Sequence, residues 1–339
     1  MANLIFGAAT SHTPQLHTPA EQWAVRVGAD MRNPSHLFRG RAYGWQELVT
    51  LRASEGLADQ ITLEERKKRL EAGTRALDEL ARAYRAARAD VAVVIGNDQH
   101  ELFTDHLMPA FTVYCGEEIE NIPRTEEQVR RLPEGIHVAD PGHVPSTREV
   151  YPGLPELGLH IIDCSMREGF DVAYSRRLPK VPREISVIDG IPHAYGFVYR
   201  QIMQDRVIPN VPVILNTWYP PNCPTVRRCF ELGRLIGQAI TSWPNERRVA
   251  VFASGGLSHF VVDEDFDRRF LAALASKDPA PLLAFEESWF RSGTSEAKSW
   301  ITLAGILSWS PLCMRLVDYQ PLYRSLAGNG TGTAYACWS

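Results

Sequence analysis

The sequence predicts a single α/β domain, a central mixed and largely parallel sheet flanked by helices, with its site at the strand ends. Three observations point there. Apolar runs bounded by polar residues recur at 4–9, 91–96, 211–216 and 249–253, the pattern of strands buried on both faces. A long helical pattern between the first two returns the chain to the sheet as parallel βαβ units do. Three of the runs then break off into Ser11-His12-Thr13-Pro14, Asn97-Asp98-Gln99-His100 and Ser254-Gly255-Gly256, at the edge where open α/β sheets bind ligands.

The elements follow in order. Residues 4–9 form the first strand. A polar excursion from His17 to about residue 60, rich in Arg, Gly and Asn, reads as short helices and loops. With the helix that follows, it makes a helical and loop insertion at about 17–89. Thr62-Leu63-Glu64-Glu65 is a capping box. It opens a helix to about Ala89, with Leu63, Leu70, Leu77, Leu80 and Tyr84 near helical spacing. Residues 91–96 form the next strand, parallel to the first, and 108–114 another. The Pro, Gly and Glu content of 116–155 predicts exposed loops with one helix. Residues 160–163 are a short strand candidate and 211–216 a stronger one. Thr225 begins a helix carrying Val226, Phe230, Gly233, Ile236 and Ile240 on one side. Residues 249–253 are a further buried strand, and Asp263 caps a helix with Phe266, Phe270 and Leu274. The C-terminal third reads as helical up to Gly328–Thr333, a flexible polar turn.

The chain has 339 residues, 45% hydrophobic and 22% charged, with a net charge of -4. That composition supports a sizeable core. The interspersed charges lack the basic stripe of a nucleic-acid footprint. No apolar run reaches the roughly 18 residues of a membrane span. Met1-Ala2-Asn3-Leu4 lacks the basic region of a signal peptide. The six cysteines contain no Cys-x-x-Cys pair, which favours a reduced, cytoplasmic protein with structural thiols.

Histidines supply the chemistry. His12 and His100 each follow a strand. A lone histidine there is commonly a structural hydrogen-bonding residue, but two at equivalent ends, with one carboxylate, would make a facial metal site with open positions. Either Gln99 or His100 faces that site, since successive residues of an extended chain point to opposite sides. Ser254-Gly255-Gly256-Leu257-Ser258-His259 lets the backbone turn closely around a ligand. An imidazole at His259 is suited to general base work. The segment does not fit a Gly-x-Ser-x-Gly nucleophile elbow. Glu296, in Ser292-Gly293-Thr294-Ser295-Glu296, reads either as a first-turn carboxylate favouring the helix dipole or as the anionic ligand. His193, after Gly190-Ile191-Pro192, either polarises a ligand or holds a loop.

In this order these segments resemble the class III extradiol ring-cleavage dioxygenases over most of the chain. Ser11–Pro14 matches the first-ligand segment. Asn97–His100, with Phe103 and Met108-Pro109, matches the second. Tyr219-Pro220-Pro221 with Arg228–Gly233 matches a proline-rich turn and helix, Ser254–His259 the catalytic histidine, and Ser292–Glu296 with Trp300 the carboxylate ligand. The resemblance implies a non-haem Fe(II) held by His12, His100 and Glu296, with His259 as acid/base assisted by His193. It implies O₂ and a catechol-type substrate of the protocatechuate, gallate or methylgallate kind, drawn from lignin-type aromatics, opened beside its hydroxyls. Thr331 and Thr333, in Gly330–Tyr335, match a segment near the substrate carboxylate. A gapless match sets Gln99 opposite the family's second histidine. His100 is the expected ligand because imidazole binds iron better than a neutral amide. Size and family imply a homodimer. A metal-dependent hydrolase on the same scaffold and a non-catalytic homologue are the competing readings.

Overall fold

A computed structural model describes residues 1–339. In chain order its main elements are β1 (Asn3–Thr10), α1 (Leu63–Ala87), β2 (Val91–Asn97), β3 (Phe111–Tyr114), α2 (Pro155–Arg167), β4 (Ala173–Ser175), β5 (Asn210–Leu215), α3 (Val226–Ser242), β6 (Arg248–Ser254), β7 (His259–Val261), α4 (Glu264–Ala275), α5 (Ala297–Leu307), β8 (Met314–Tyr323) and β9 (Asn329–Trp338). The strands form one nine-stranded sheet in the order β7-β9-β1-β6-β2-β5-β3-β4, with β8 paired to β9. The centre, β1-β6-β2-β5, is parallel. β9 runs antiparallel to β1, β7 and β8.

Period-two alternation explains why the central strands are apolar throughout. Val249, Val251 and Ala253 of β6 face one core layer with Val91, Val93 and Ile95 of β2. Ala250, Phe252, Ala92 and Val94 face the other. The first layer packs under α3, α4 and α5, the second under α1 and the helical stretch 193–202. Thr62 caps α1 by accepting from the Glu65 N–H at 3.3 Å, and Asp263 caps α4 by accepting from Phe266 at the same distance. α3 and α5 touch where Gly233 meets the Thr302 carbonyl and Gly305 the Phe230 carbonyl, with no room for a Cβ on either.

β1 and β2 run parallel as expected, with β6 between them. Three expectations change. The strand expected at 160–163 is part of α2. Pro155 occupies its first turn, and Leu157 and Ile161, four residues apart, face the core. The C-terminus is not helical beyond α5: β8 and β9 form a hairpin of two ten-residue strands. Gly328–Thr333 is therefore not a flexible turn, since its last five residues open β9, which is buried along its whole length. Segment 116–155 holds the expected helix, Glu126–Arg131, and also a small hairpin of Glu118–Asn121 with Glu149–Pro152. Residues 14–60 form the expected short helical turns and loops, and also a small hairpin of His36–Phe38 with Arg41–Tyr43. No helix is long and apolar enough to cross a membrane.

Candidate active site

The parallel strands deliver their C-terminal ends to one rim, and the polar segments after β1, β2 and β6 meet there. Thr10 pairs with Ser254 across β1 and β6. The next residues place the buried His12 ring against Ser254, with Nδ1 2.9 Å from the hydroxyl. His12 Nε2 then lies 3.1 Å from Glu296 Oε2 and 3.1 Å from His193 Nε2.

After β2, Asp98 turns the chain. Its carboxylate accepts the N–H groups of Glu101, Leu102 and Phe103 at 2.8–3.1 Å. Burial, with the Glu101 charge close by, pushes its pKa up to about 7. Within this turn His100 adopts a left-handed backbone, φ 59°. Its ring leaves the rim and stacks on Tyr219, 3.6 Å between centroids and 3° between planes. Gln99 takes the inward place, its Nε2 donating to Glu296 Oε1 at 2.7 Å. The expectation that His100 joins the metal-ligating set is thus corrected: the structure brings Gln99, not His100, to the carboxylate.

His193 begins a short helix, His193–Phe197. The buried Glu101 accepts its ring Nδ1–H at 2.7 Å through one oxygen and its backbone N–H at 3.2 Å through the other. A carboxylate only accepts, so Nδ1 carries a proton, and in the neutral ring the lone pair falls on Nε2, which faces the cluster. Burial opposes charging of His193, but Glu101, with Glu296 beyond, raises its pKa. His259 is fixed likewise, Nδ1 donating to the Leu257 carbonyl at 2.9 Å and Nε2 standing 3.4 Å from Glu296 Oε2. Its ring is held between Gly256 and Gly293, where a Cβ on either residue would strike it.

Glu296 is the common partner. It ends the turn Ser292–Glu296 that leads into α5 and is 3% exposed. Besides Gln99 it accepts the Gly256 N–H at 2.9 Å. Burial alone would raise its pKa, but the charges and hydrogen bonds of His12 and His259 hold it well below the usual carboxylate range. His12 in turn is pulled down by burial, against the Glu296 attraction. The site therefore gathers three imidazoles around one anionic carboxylate.

His12, His193 and Glu296 place one donor atom each within 4.8 Å of one another. Two imidazole nitrogens 3.1 Å apart, one with its proton committed elsewhere, repel unless a proton or a cation lies between them. Imidazole with carboxylate is a donor set for a divalent transition metal, and the Glu101–His193 pair repeats the carboxylate–histidine arrangement that supports metal-bound imidazoles. The residues present fit such an ion.

A cavity of about 290 Å³ opens over the cluster, with Thr331 on its wall and Thr13 Oγ1 3.0 Å from Thr331 Oγ1. Thr333 does not line it. Two residues deeper along β9, its hydroxyl donates to the Gln320 carbonyl at 2.7 Å, which corrects its expected place beside a substrate. Glu101 and the cavity's arginines, Arg26, Arg124 and Arg324, have no motif in the sequence that marks them as site residues. Glu101 follows directly on the segment ending in His100, but no spacing rule marks it.

The family described as the catalytic LigB subunit of aromatic ring-opening dioxygenase matches residues 58–328. A gallate dioxygenase of Pseudomonas putida is 28% identical over 185 residues, 50% of this chain and 51% of the relative. A 2,3-dihydroxyphenylpropionate/2,3-dihydroxicinnamic acid 1,2-dioxygenase of Photorhabdus laumondii is 31% identical over 100 residues, 29% of this chain and 27% of the relative. The chain thus spans about half the length of the first and about a quarter of the second. His12 and Thr331 lie outside the matched residues and are placed by geometry alone. With a matched span covering most of the sheet and the segments that carry Gln99, His193, His259 and Glu296, this chain belongs to the family of the catalytic LigB subunit of aromatic ring-opening dioxygenases.

Proposed function

We propose that this protein is a non-haem Fe(II) extradiol dioxygenase that opens a catechol-type ring with O₂. The convergence of His12, His193 and Glu296 carries the reading, with His259 beside them. His193 takes the ligand place first expected of His100, so the set remains two imidazoles and one carboxylate. Ferrous iron held there would supply chelation of two adjacent hydroxyls and the redox chemistry of O₂, leaving ligand positions free for both.

The chain's own residues do the rest. Ser254 and Glu101 orient the His12 and His193 rings, so the Nε2 atoms are aimed before anything binds. Gln99 and the Gly256 N–H hold the two oxygens of Glu296 in fixed directions. His259 Nε2, free of any other donor, takes the proton of a substrate hydroxyl and returns it as the ring opens. Phe197 and Phe260 on the cavity wall exclude water from the reacting face. Both atoms of O₂ end in the ring-opened acid, so no outside reductant is required.

Anaerobic reconstitution with Fe(II), followed by addition of catechols in an oxygen electrode, tests this. The expected result is stoichiometric O₂ uptake and a yellow ring-opened product. Equal product formation under argon, or activity that follows bound zinc, would replace the dioxygenase with the hydrolase reading.

A further inference from the structure

We propose that Arg26 is a specificity-determining residue that binds a carboxylate carried by the aromatic substrate apart from its two hydroxyls. The proposal rests on the reading above for the identity of the ring, but its evidence is separate.

Three guanidinium groups line the cavity over the imidazole cluster. Two are neutralised within the protein. Arg324 grips Asp30 with two parallel bonds of 2.7 and 2.8 Å. Arg124 donates to Asp140 at 3.0 Å and to the Val187 carbonyl. The Arg26 guanidinium makes no hydrogen bond and no ion pair, although the residue is half-buried. The one carboxylate near enough to attract it is Asp30, which Arg324 already holds with both oxygens. Burial and the neighbouring Arg324 charge lower the Arg26 pKa to about 10, so it remains a cation at neutral pH.

A partly desolvated cation without a counter-ion is costly to maintain. Here it sits where a ligand can supply the missing anion. Its position is defined: Arg26 ends the turn Ala20–Arg26 and leads into the helix Val27–Arg32, whose Asp30 is the residue clamped by Arg324. The bidentate pair therefore pins the helix that presents Arg26. The same cavity carries the apolar side chains of Leu132, Ile136, Phe197 and Phe260, which suit the faces of a flat ring. The ligand that matches this lining has an apolar ring, a pair of oxygens for the metal and one anionic group. A guanidinium fork and a carboxylate pair bidentately, and such charge-assisted bonds are the strong ones.

Equilibrium binding tests this without turnover. Anaerobic calorimetry would compare 3,4-dihydroxybenzoate with its neutral counterpart 3,4-dihydroxybenzamide on the intact protein, Arg26→Met and Arg26→Lys. The wild type should prefer the carboxylate by about 10- to 100-fold. Arg26→Met should lose that preference while binding the amide as before, and Arg26→Lys should keep part of it. Equal affinities in the wild type, no binding of either ligand, or an equal loss of both in Arg26→Met would overturn the role of Arg26. Failure of the dioxygenase reading looks different: the preference for the carboxylate persists, but the ferrous protein takes up no O₂ with either compound.

Discussion

Replacing Glu101 by glutamine keeps the shape of the side chain beside His193 and changes what it accepts. Glu101 takes two hydrogen bonds, the ring Nδ1–H at 2.7 Å and the backbone N–H at 3.2 Å, on different oxygens. Glutamine has one carbonyl oxygen, so one of these donors loses its partner. The surviving bond is neutral rather than charge-assisted. A hydrogen bond to a charged group is worth about 1.5–3 kcal/mol net and a neutral one about 0.5–1.5, so support for the His193 ring falls by about 1–2 kcal/mol. At 1.36 kcal/mol per factor of ten, metal affinity should drop by about 5- to 30-fold, overlapping the roughly 10- to 100-fold usual for such partners of metal-bound histidines. Global stability should change less, because the substitution also removes the repulsion between Glu101 and the buried Asp98. The assay is anaerobic competition for Fe(II) against a chelator of known affinity, with a thermal melt as control. Unchanged affinity in Glu101→Gln would refute the reasoning, since His193 would then not be held for a metal by this carboxylate.

Further outcomes follow from the same geometry. His100→Ala should leave Fe(II) affinity unchanged, whereas Gln99→Ala, which strips the 2.7 Å bond from Glu296, should weaken it about tenfold or more, by the same competition assay. Gly293→Ala drives a Cβ into the His259 ring; kcat should fall on the order of 100-fold, the scale of a lost acid/base group, while metal analysis still finds iron bound. Gly233→Ala forces α3 from α5 and should cost about 1–3 kcal/mol, read as a lower urea midpoint with unchanged slope.

Much of the fold is legible because local rules and the fold agree. The Thr62 cap, the buried runs that become β2 and β6, and the Asp263 cap each signal their element within a few residues. The errors have physical causes. The run His160–Asp163 is too short for periodicity to separate strand from helix; only Leu157 and Ile161, taken with Pro155 at the helix start, reveal α2. The start of β9 looks like a mobile turn because it is made of Gly, Thr and Asn. Those small residues are present because the strand lies between β1, β7 and β8, where Gly330 meets the Leu322 carbonyl and Gly332 the Asp267 carboxylate, with no space for larger ones.

At the site, the donor types and the strand ends that carry them were readable, and His12, His193, His259 and Glu296 do meet. Ligand strength favours His100 over Gln99, but the backbone decides otherwise: the left-handed turn at His100 sends its ring to Tyr219. Arg26 carries no sequence signal at all. Its distinction is the absence of a partner, which depends on Arg324 having taken Asp30 from 294 residues away along the chain.

The most direct test of the central claim is an anomalous-difference map collected at the iron edge from crystals reconstituted anaerobically with Fe(II). The account predicts one peak per chain, within bonding distance of His12 Nε2, His193 Nε2 and a Glu296 oxygen. A peak beside His100, or none at the imidazole cluster, would contradict it.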